Sequence, residues 1–243
     1  MKKLLLSGLA ISICLTIFSQ EKEIIVKELT ENLLPRKLTF TGEFIEAKKW
    51  NDINGENLLL ISRLGPYRAP GKEINGALTS NSKLFAYQYL LDGSKLILQW
   101  QFSDSVTNCN VDMWIGLLPN STAITDLDKN GLTETTIIYR KSCRGDVSPS
   151  DMRILLYEGK KLYSLSGQMY SRDAIGEPDE SFQCDLSKSG VEKINKKTFE
   201  YFKAQIGRYE NEYDFNNAPY VFLSFARKKW REFFIKDDFQ TLK

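Results

Sequence analysis

Hydrophobic and polar positions alternate with a period of two through much of the chain's middle, the pattern of half-buried β-strands. Leu84 to Leu91 and Lys95 to Phe102 flank Asp92-Gly93, and Met152 to Tyr157 and Lys161 to Leu165 flank Glu158-Gly159. Both pairs have tight-turn chemistry, so each stretch predicts a β-hairpin. Leu58 to Ser62 and Thr135 to Tyr139 are short apolar runs of the kind found in buried strands. From Leu186 onward the period becomes about 3.6. Ser189-Gly-Val-Glu192 reads as a capping box, and Val191, Ile194, Thr198, Phe202 and Ile206 would form one face of the helix it starts. A second helix is expected after Asn217, with Pro219 in its first turn and Leu223, Ala226, Trp230 and Phe233 on its apolar face. Packing of both faces on a sheet is the ordinary outcome. A Trp and Phe stripe opposite Arg227, Lys228 and Arg231 is also compatible with a membrane surface. The expected fold is mainly β with a helical C-terminal part, α+β overall: a β-rich domain over 20–186 and a helical segment over 187–243 packed on it.

The first 19 residues have another character. Lys2 and Lys3 precede an apolar stretch from Leu4 to Phe18, then Ser19-Gln20 and charged Glu21-Lys22-Glu23, the layout of a secretory signal peptide over 1–19. The stretch is short for a membrane span, and no later segment reaches the roughly 20 apolar residues that a spanning helix needs. The expected product is an exported chain without a transmembrane segment, periplasmic, extracellular or at the cell surface. A lipid anchor on Cys14 is the rival, but Ile13 stands where lipoprotein processing takes a small residue.

Loss of Lys2 and Lys3 from a chain with 33 basic and 31 acidic residues brings the mature charge to zero. With Arg227-Lys228-Lys229 as its one basic run, the sequence gives no electrostatic footprint for nucleic acid. At 42% hydrophobic and 12% aromatic it has ample material for a packed core. The absence of histidine excludes Ser-His-Asp and Cys-His nucleophile systems and imidazole metal sites. Any hydrolase here would rely on carboxylates, lysine or an oxygen-held metal. Cys109, Cys143 and Cys184 remain in the mature chain. Export favours pairing, and strands ending near Leu117 and Arg140, antiparallel on either side of one loop, would bring Cys109 and Cys143 together. Cys184 is then free, a small buried hydrophobe.

That loop is the strongest chemical signal. Asp126, Asp128 and Asn130 occupy positions 1, 3 and 5, Gly131 the turn at 6, the Leu132 carbonyl position 7 and Glu134 position 9. A hard cation such as Ca²⁺ takes six to eight oxygens, and this spacing lets a short loop deliver them. Asp, Asn and Gly also build ordinary polar turns. Ile137 at position 12, and a strand rather than a helix downstream, exclude an EF-hand. The pattern repeats in weaker form: Trp50-Asn-Asp52-Ile-Asn54-Gly55-Glu-Asn57 precedes Leu58 to Ser62 as 126–134 precedes Thr135 to Tyr139, and each copy leads to its own hairpin. Gly65 to Ser82, rich in Gly, Pro, Ser and Asn, reads as an insertion in the first copy.

Each unit, over 48–102 and 124–167, resembles a single blade of the FG-GAP or VCBS type of β-propeller repeat, in which an Asp-x-Asp-x-Asp/Asn-Gly-x-x-Asp/Glu loop binds calcium before a buried strand. The resemblance implies a structural calcium ion at the second copy. It implies little affinity at the first, which has Trp50 and Asn57 where carboxylates belong. Propeller rings need about four to eight blades, so two degenerate repeats point to a twisted sheet or sandwich of two related halves ahead of propeller-like blades. The region 109–167, with Cys143-Arg-Gly-Asp-Val-Ser-Pro149 and Met152 to Gly159, is similar to an uncharacterised family of exported Gram-negative envelope proteins labelled for surface polysaccharide biosynthesis. That likeness implies a place near the cell surface, with glycan or envelope protein as partner, and names no catalytic residue.

The remaining motifs have structural readings. Arg144-Gly145-Asp146 matches the tripeptide of adhesion ligands, and is also a turn held between Cys143 and Pro149 in which Asp146 or Asp151 bonds nearby backbone. Asp179-Glu180 and Asp237-Asp238 are adjacent carboxylates that read as solvated charge, since glycoside hydrolysis needs two carboxyls about 5 to 10 Å apart across a cleft. Trp50, Trp100 and Trp114 are core residues by default and sugar-stacking candidates otherwise. The sequence-based expectation is a non-enzymatic binding or assembly component of the envelope; the alternative is a carboxylate-dependent enzyme acting on envelope polysaccharide.

Overall fold

Among the described residues the period-two alternation resolves into ten antiparallel strands. The computed structural model describes residues 24–237; the leader expected over 1–19, with Cys14, lies outside the described residues. Strands β1 (Lys27–Leu29), β2 (Glu43–Asp52), β3 (Gly55–Ile74), β4 (Ala77–Asp92) and β5 (Lys95–Cys109) form one sheet in sequence order. Strands β6 (Asp112–Leu117), β7 (Ala123–Thr125), β8 (Glu134–Arg144), β9 (Asp151–Glu158) and β10 (Lys161–Gln168) form the other, in the order β10-β9-β8, with β6 and β7 both paired to β8. The expected hairpins at Asp92-Gly93 and Glu158-Gly159 join β4 to β5 and β9 to β10. The two stretches 48–102 and 124–167 each fold as a meander, β3-β4-β5 in one sheet and β8-β9-β10 in the other. The architecture is a two-sheet sandwich, with no ring of blades among the described residues.

Alternate residues of the central strands serve different cores. Leu59 and Ile61 of β3 face Ile137 and Tyr139 of β8 and Leu155 and Tyr157 of β9, and with Trp50, Leu84, Ala86 and Trp100 they fill the space between the sheets. Leu58 and Leu60 point the other way, beneath Leu34, Leu38 and Phe40 of the N-terminal segment. Ile138, Met152, Ile154 and Leu156, on the far side of the second sheet, receive the helical segment. Strands β3 and β8 are therefore covered on both faces, which is why they read as unbroken apolar runs.

Gly65 to Ser82 is not a separate loop. It lengthens the β3–β4 hairpin around Asn75-Gly76, both at positive φ (54° and 76°), with register shifts after Leu64 and Arg68 and a cis Gly65–Pro66 bond. Cys109 at the end of β5 is bonded to Cys143 on β8, as expected from the antiparallel β6–β8 pair in which Met113 lies opposite Cys143. This bond joins the two sheets.

The helical part departs from expectation at its start. Instead of one helix over 189–206, two 3-10 turns (Leu186–Lys188 and Val191–Lys193) precede a short α-helix, Phe199–Gln205, capped by Thr198. Gly190 is left-handed (φ 77°), and the Ser189 hydroxyl donates to the Leu186 carbonyl at 2.7 Å instead of capping an amide. The apolar spacing was real, since Val191 and Ile206 are buried. It is met by turns. With α1 (Arg172–Ile175) and α2 (Phe199–Gln205), the long helix α3 (Tyr220–Phe233) follows Pro219 as expected. Its buried face is Phe222, Ala226, Trp230 and Phe233, with Leu223 partly buried at its edge. Core packing on the second sheet, and not a membrane surface, occupies that stripe. Among the described residues no helix is long and apolar enough to cross a membrane.

Glu212 ties α3 to the turns before it. It accepts from Arg227 Nε and Nη2 (2.6 Å each), Tyr209 Oη (2.6 Å) and Lys188 Nζ (2.5 Å). Burial works to raise its carboxyl, but the bonds from Arg227, Lys188 and Tyr209 outweigh burial and hold it at about 2. A depressed acid stabilises the fold above its unfolded value of about 4.5, and that contribution is lost as pH falls toward 2. Because Lys188 and Arg227 are substantially exposed (51% and 39%), Glu212→Gln is expected to cost only about 1–2 kcal/mol at pH 7. The cost should fade on acidification, as read by urea unfolding at pH 7 and pH 3.

Candidate metal centre

The loop between β7 and β8 is shaped by its own side chains. Thr125 pairs with Glu134, closing the loop at its base. Within it, Asp126 Oδ2 accepts from the Gly131 amide (3.0 Å), Asp128 Oδ1 from the Asn130 amide (3.3 Å) and Asn130 Oδ1 from the Leu132 amide (2.7 Å). The last two are Asx turns, which account for Asp128 and Asn130 at alternate positions, while Asp126 reaches across the loop. Lys129 (φ 60°) and Gly131 (φ 84°) take the left-handed conformation. At Gly131 a side chain is doubly excluded, because a Cβ would also lie 2.6 Å from Ile53 Cγ2.

This winding brings one oxygen each of Asp126, Asp128 and Glu134 within 4.8 Å of one another, a group that could hold a metal ion. Glu134 is fully buried as the first residue of β8. Its Oε2 accepts from Thr125 Oγ1 (2.8 Å) and the Leu127 amide (2.9 Å). Among the described residues, Glu134 Oε1 and Asp126 Oδ1, also buried, have no hydrogen-bond partner. Burial pushes the Glu134 carboxyl up to about 7; the negative charges of Asp128 and Asp126 add to this, against the two hydrogen bonds. Two orphaned buried carboxylate oxygens beside a third carboxylate are costly alone and suited to a hard cation.

The other two predicted ligands stand differently. Asn130 acts as a brace: its Nδ2 donates to Asp128 Oδ2 (3.1 Å) and to Glu158 Oε1 (2.8 Å) from the β9–β10 turn. Leu132 has its amide held by Asn130 at loop position 7. Sequence reasoning missed the residues that support the loop from the other sheet. The Ile53 amide donates to the Gly131 carbonyl (3.0 Å), and Asp52 Oδ2 accepts from the amide and hydroxyl of Thr133 (3.3 and 2.8 Å). Trp50 Nε1 donates to the same hydroxyl (2.7 Å). The only signal was that 50–57 looked like a second copy of the loop; nothing local said that the copies meet.

Elsewhere the candidate residues have structural partners. Arg144 is buried and donates to Asp237 through Nη1 (2.9 Å) and Nη2 (3.1 Å), and also to the Ser148 carbonyl. Asp146 is exposed and caps its turn through the Ser148 amide (2.9 Å), so the Arg-Gly-Asp triplet is a turn with its arginine turned inward. Asp237 corrects the reading of solvated charge: its side chain is 5% exposed and also accepts from Arg140 Nη1 (2.7 Å) and from the Ser150 amide and hydroxyl (2.9 Å each). Asp238 lies outside the described residues. Trp50 and Trp100 are core residues, Trp100 stacked on Tyr157 at 3.9 Å, while Trp114 is half-buried under the Arg63 guanidinium. Cys184 is free and buried, and burial pushes its thiol up.

Compared with known protein families, with curated proteins and with solved structures, the chain gives no match.

Proposed function

We propose that this is an exported envelope or surface protein whose Asp126–Glu134 loop holds a structural Ca²⁺, and that it acts as a non-enzymatic binding or assembly component linked to surface glycans. The observation that carries the metal is the fully buried Glu134 with an unpartnered oxygen, grouped with Asp126 and Asp128. Oxygen donors alone, three of them carboxylates, match a hard cation better than a soft one. Asp126, Asp128 and Glu134 would be the charged ligands, with the Leu132 carbonyl and Asn130 completing the loop positions. Extracellular sites of this class have dissociation constants on the order of 10⁻⁴ to 10⁻³ M, which suits a clip that stays loaded outside the cell. Export rests on the leader pattern, and the glycan link on the likeness of 109–167 to the envelope family.

A second reading has one observation in its favour. A cleft of about 220 Å³ between β9–β10 and the 205–210 turn is lined by Asp151, Arg153, Gln168, Gln205, Arg208 and Glu210. Asp151 is exposed over part of its surface, yet desolvation raises its carboxyl, with Asp104 and Glu210 adding to the rise against Lys141 and Arg153. Two carboxylates in one cleft, one of them raised, are what a carboxylate enzyme needs. Glycan-array binding in calcium, run beside an assay for released reducing ends, separates the two. Binding without release supports the binding component; release that disappears in Asp151→Asn would replace it with the enzyme.

A further inference from the structure

Trp50 stands where the first copy of the loop would need its first carboxylate, and both it and nearby Asn57 are buried in contacts that reach the second sheet. Trp50 is 1% exposed and donates to Thr133. Asn57 is 3% exposed and accepts from Gln88 Nε2 (3.0 Å), whose Oε1 in turn accepts from Trp100 Nε1 (3.1 Å) and from Thr135 Oγ1 (2.8 Å). Asp52, the acid this copy retains, closes its own turn through the Asn54 amide (2.8 Å) with one oxygen. Its other oxygen bonds Thr133. Asp52 and Gly55 are paired, so Ile53 and Asn54 form a two-residue hairpin turn too tight to wrap an ion.

From these contacts we infer that the β2–β3 turn is a positioning element for the metal loop of the other sheet, with Asp52 and Trp50 acting at Thr133 and Ile53 acting at Gly131. Thr133 lies between Leu132 and Glu134, two of the proposed ligand positions, and its hydroxyl is held from both sides, donating to Asp52 and accepting from Trp50. The Ile53 amide fixes the carbonyl of Gly131, the residue at the turn of the loop. Groups that orient metal ligands from outside the coordination shell change affinity by roughly 10- to 100-fold when removed. The coupling is reciprocal: if the turn orders the loop for an ion, the ion must order the turn. Strand β8 would then be clipped to the first sheet at both ends, by the loaded loop at Glu134 and by the Cys109–Cys143 bond near Arg144.

This inference rests on the calcium reading, and its test keeps the two apart. Calcium affinity of the whole chain is measured by calorimetry for the unaltered protein and for Asp52→Ala, Thr133→Val and Thr133→Ser, and amide hydrogen exchange of the unaltered protein is followed with and without calcium. The expected result is binding weakened roughly tenfold in Asp52→Ala and Thr133→Val, affinity kept in Thr133→Ser, and calcium-dependent slowing of exchange at Ile53 as well as at Gly131. If calcium slows Gly131 but leaves Ile53 unchanged, the positioning role is wrong while the metal site stands; that comparison needs no variant to fold. Affinities within twofold of the unaltered protein in both disruptive variants would also overturn it. No binding by the unaltered chain would overturn the metal reading and this inference together.

Discussion

Glu134→Gln is expected to abolish calcium binding and, in the same protein, to stabilise the ion-free form at pH 8 by about 3 kcal/mol. The sign follows from the direction of the shift. Glu134 titrates at about 7 in the fold against about 4.5 when solvated. Below 4.5 the group is neutral folded and unfolded, and no penalty exists. Between 4.5 and 7 the native state holds a proton that the unfolded chain has released, so stability falls as pH rises. Above 7 the buried carboxylate is charged and the full penalty applies. Glutamine carries no charge, its carbonyl oxygen can accept from Thr125 and Leu127 as Oε2 does, and its amide can donate to the Asp126 or Asp128 carboxylate. Urea unfolding in chelator at pH 5 and pH 8 should show the unaltered protein weakening between them and the variant not. Calcium at about 100 times its dissociation constant should restore about 2.7 kcal/mol to the unaltered protein and nothing to the variant. A variant less stable than the parent at pH 8 in chelator would mean that Glu134 already has its charge compensated without an ion.

Asp237→Ala is expected to cost about 3–5 kcal/mol, measured by urea or thermal unfolding. The aspartate sits between two buried guanidiniums, Arg140 at 2% and Arg144 at 7% side-chain exposure, and takes both bonds of Ser150 as well. Removing it withdraws a carboxylate that both cations face, which is the costly way to break a buried ion group. It would also release the segment after α3 from β8. The tie between the Tyr170 amide and the Phe234 carbonyl (2.7 Å) is the neighbouring contact expected to loosen with it. A cost below about 1 kcal/mol would show that the charges are solvated after all.

Legibility in the sequence followed the range of the forces involved. Asp92-Gly93 and Glu158-Gly159 announce their hairpins because turn chemistry is local, and Ala226, Trp230 and Phe233 recur at helical spacing because one face of α3 meets one sheet, with Phe222 in the buried place expected for Leu223. The Cys109–Cys143 bond was readable from antiparallel geometry across a short span. The broken helix over 189–206 was not, since its apolar positions suit turns as well as a helix and Gly190 settles the matter by going left-handed. Asn75-Gly76 is a strong hairpin signal that was hidden inside a stretch of Gly, Pro and Ser, where composition argued for a loop. Within the candidate site, the grouping of Asp126, Asp128 and Glu134 came from local spacing. Its supports did not, because Asp52 lies 81 residues from Thr133 in sequence, and the separate Asp237 ion group escaped for the same reason, lying 97 residues from Arg140. Pairings over such distances are decided by how the sheets stack.

Whether the β7–β8 loop grips a calcium ion is decided by calorimetric titration of calcium into chelator-stripped protein. The expected result is saturating heat with one ion per chain, absent in Glu134→Gln, and a proton released on binding near pH 6.5 but not at pH 9. A flat titration of the unaltered, folded protein at millimolar calcium would contradict it.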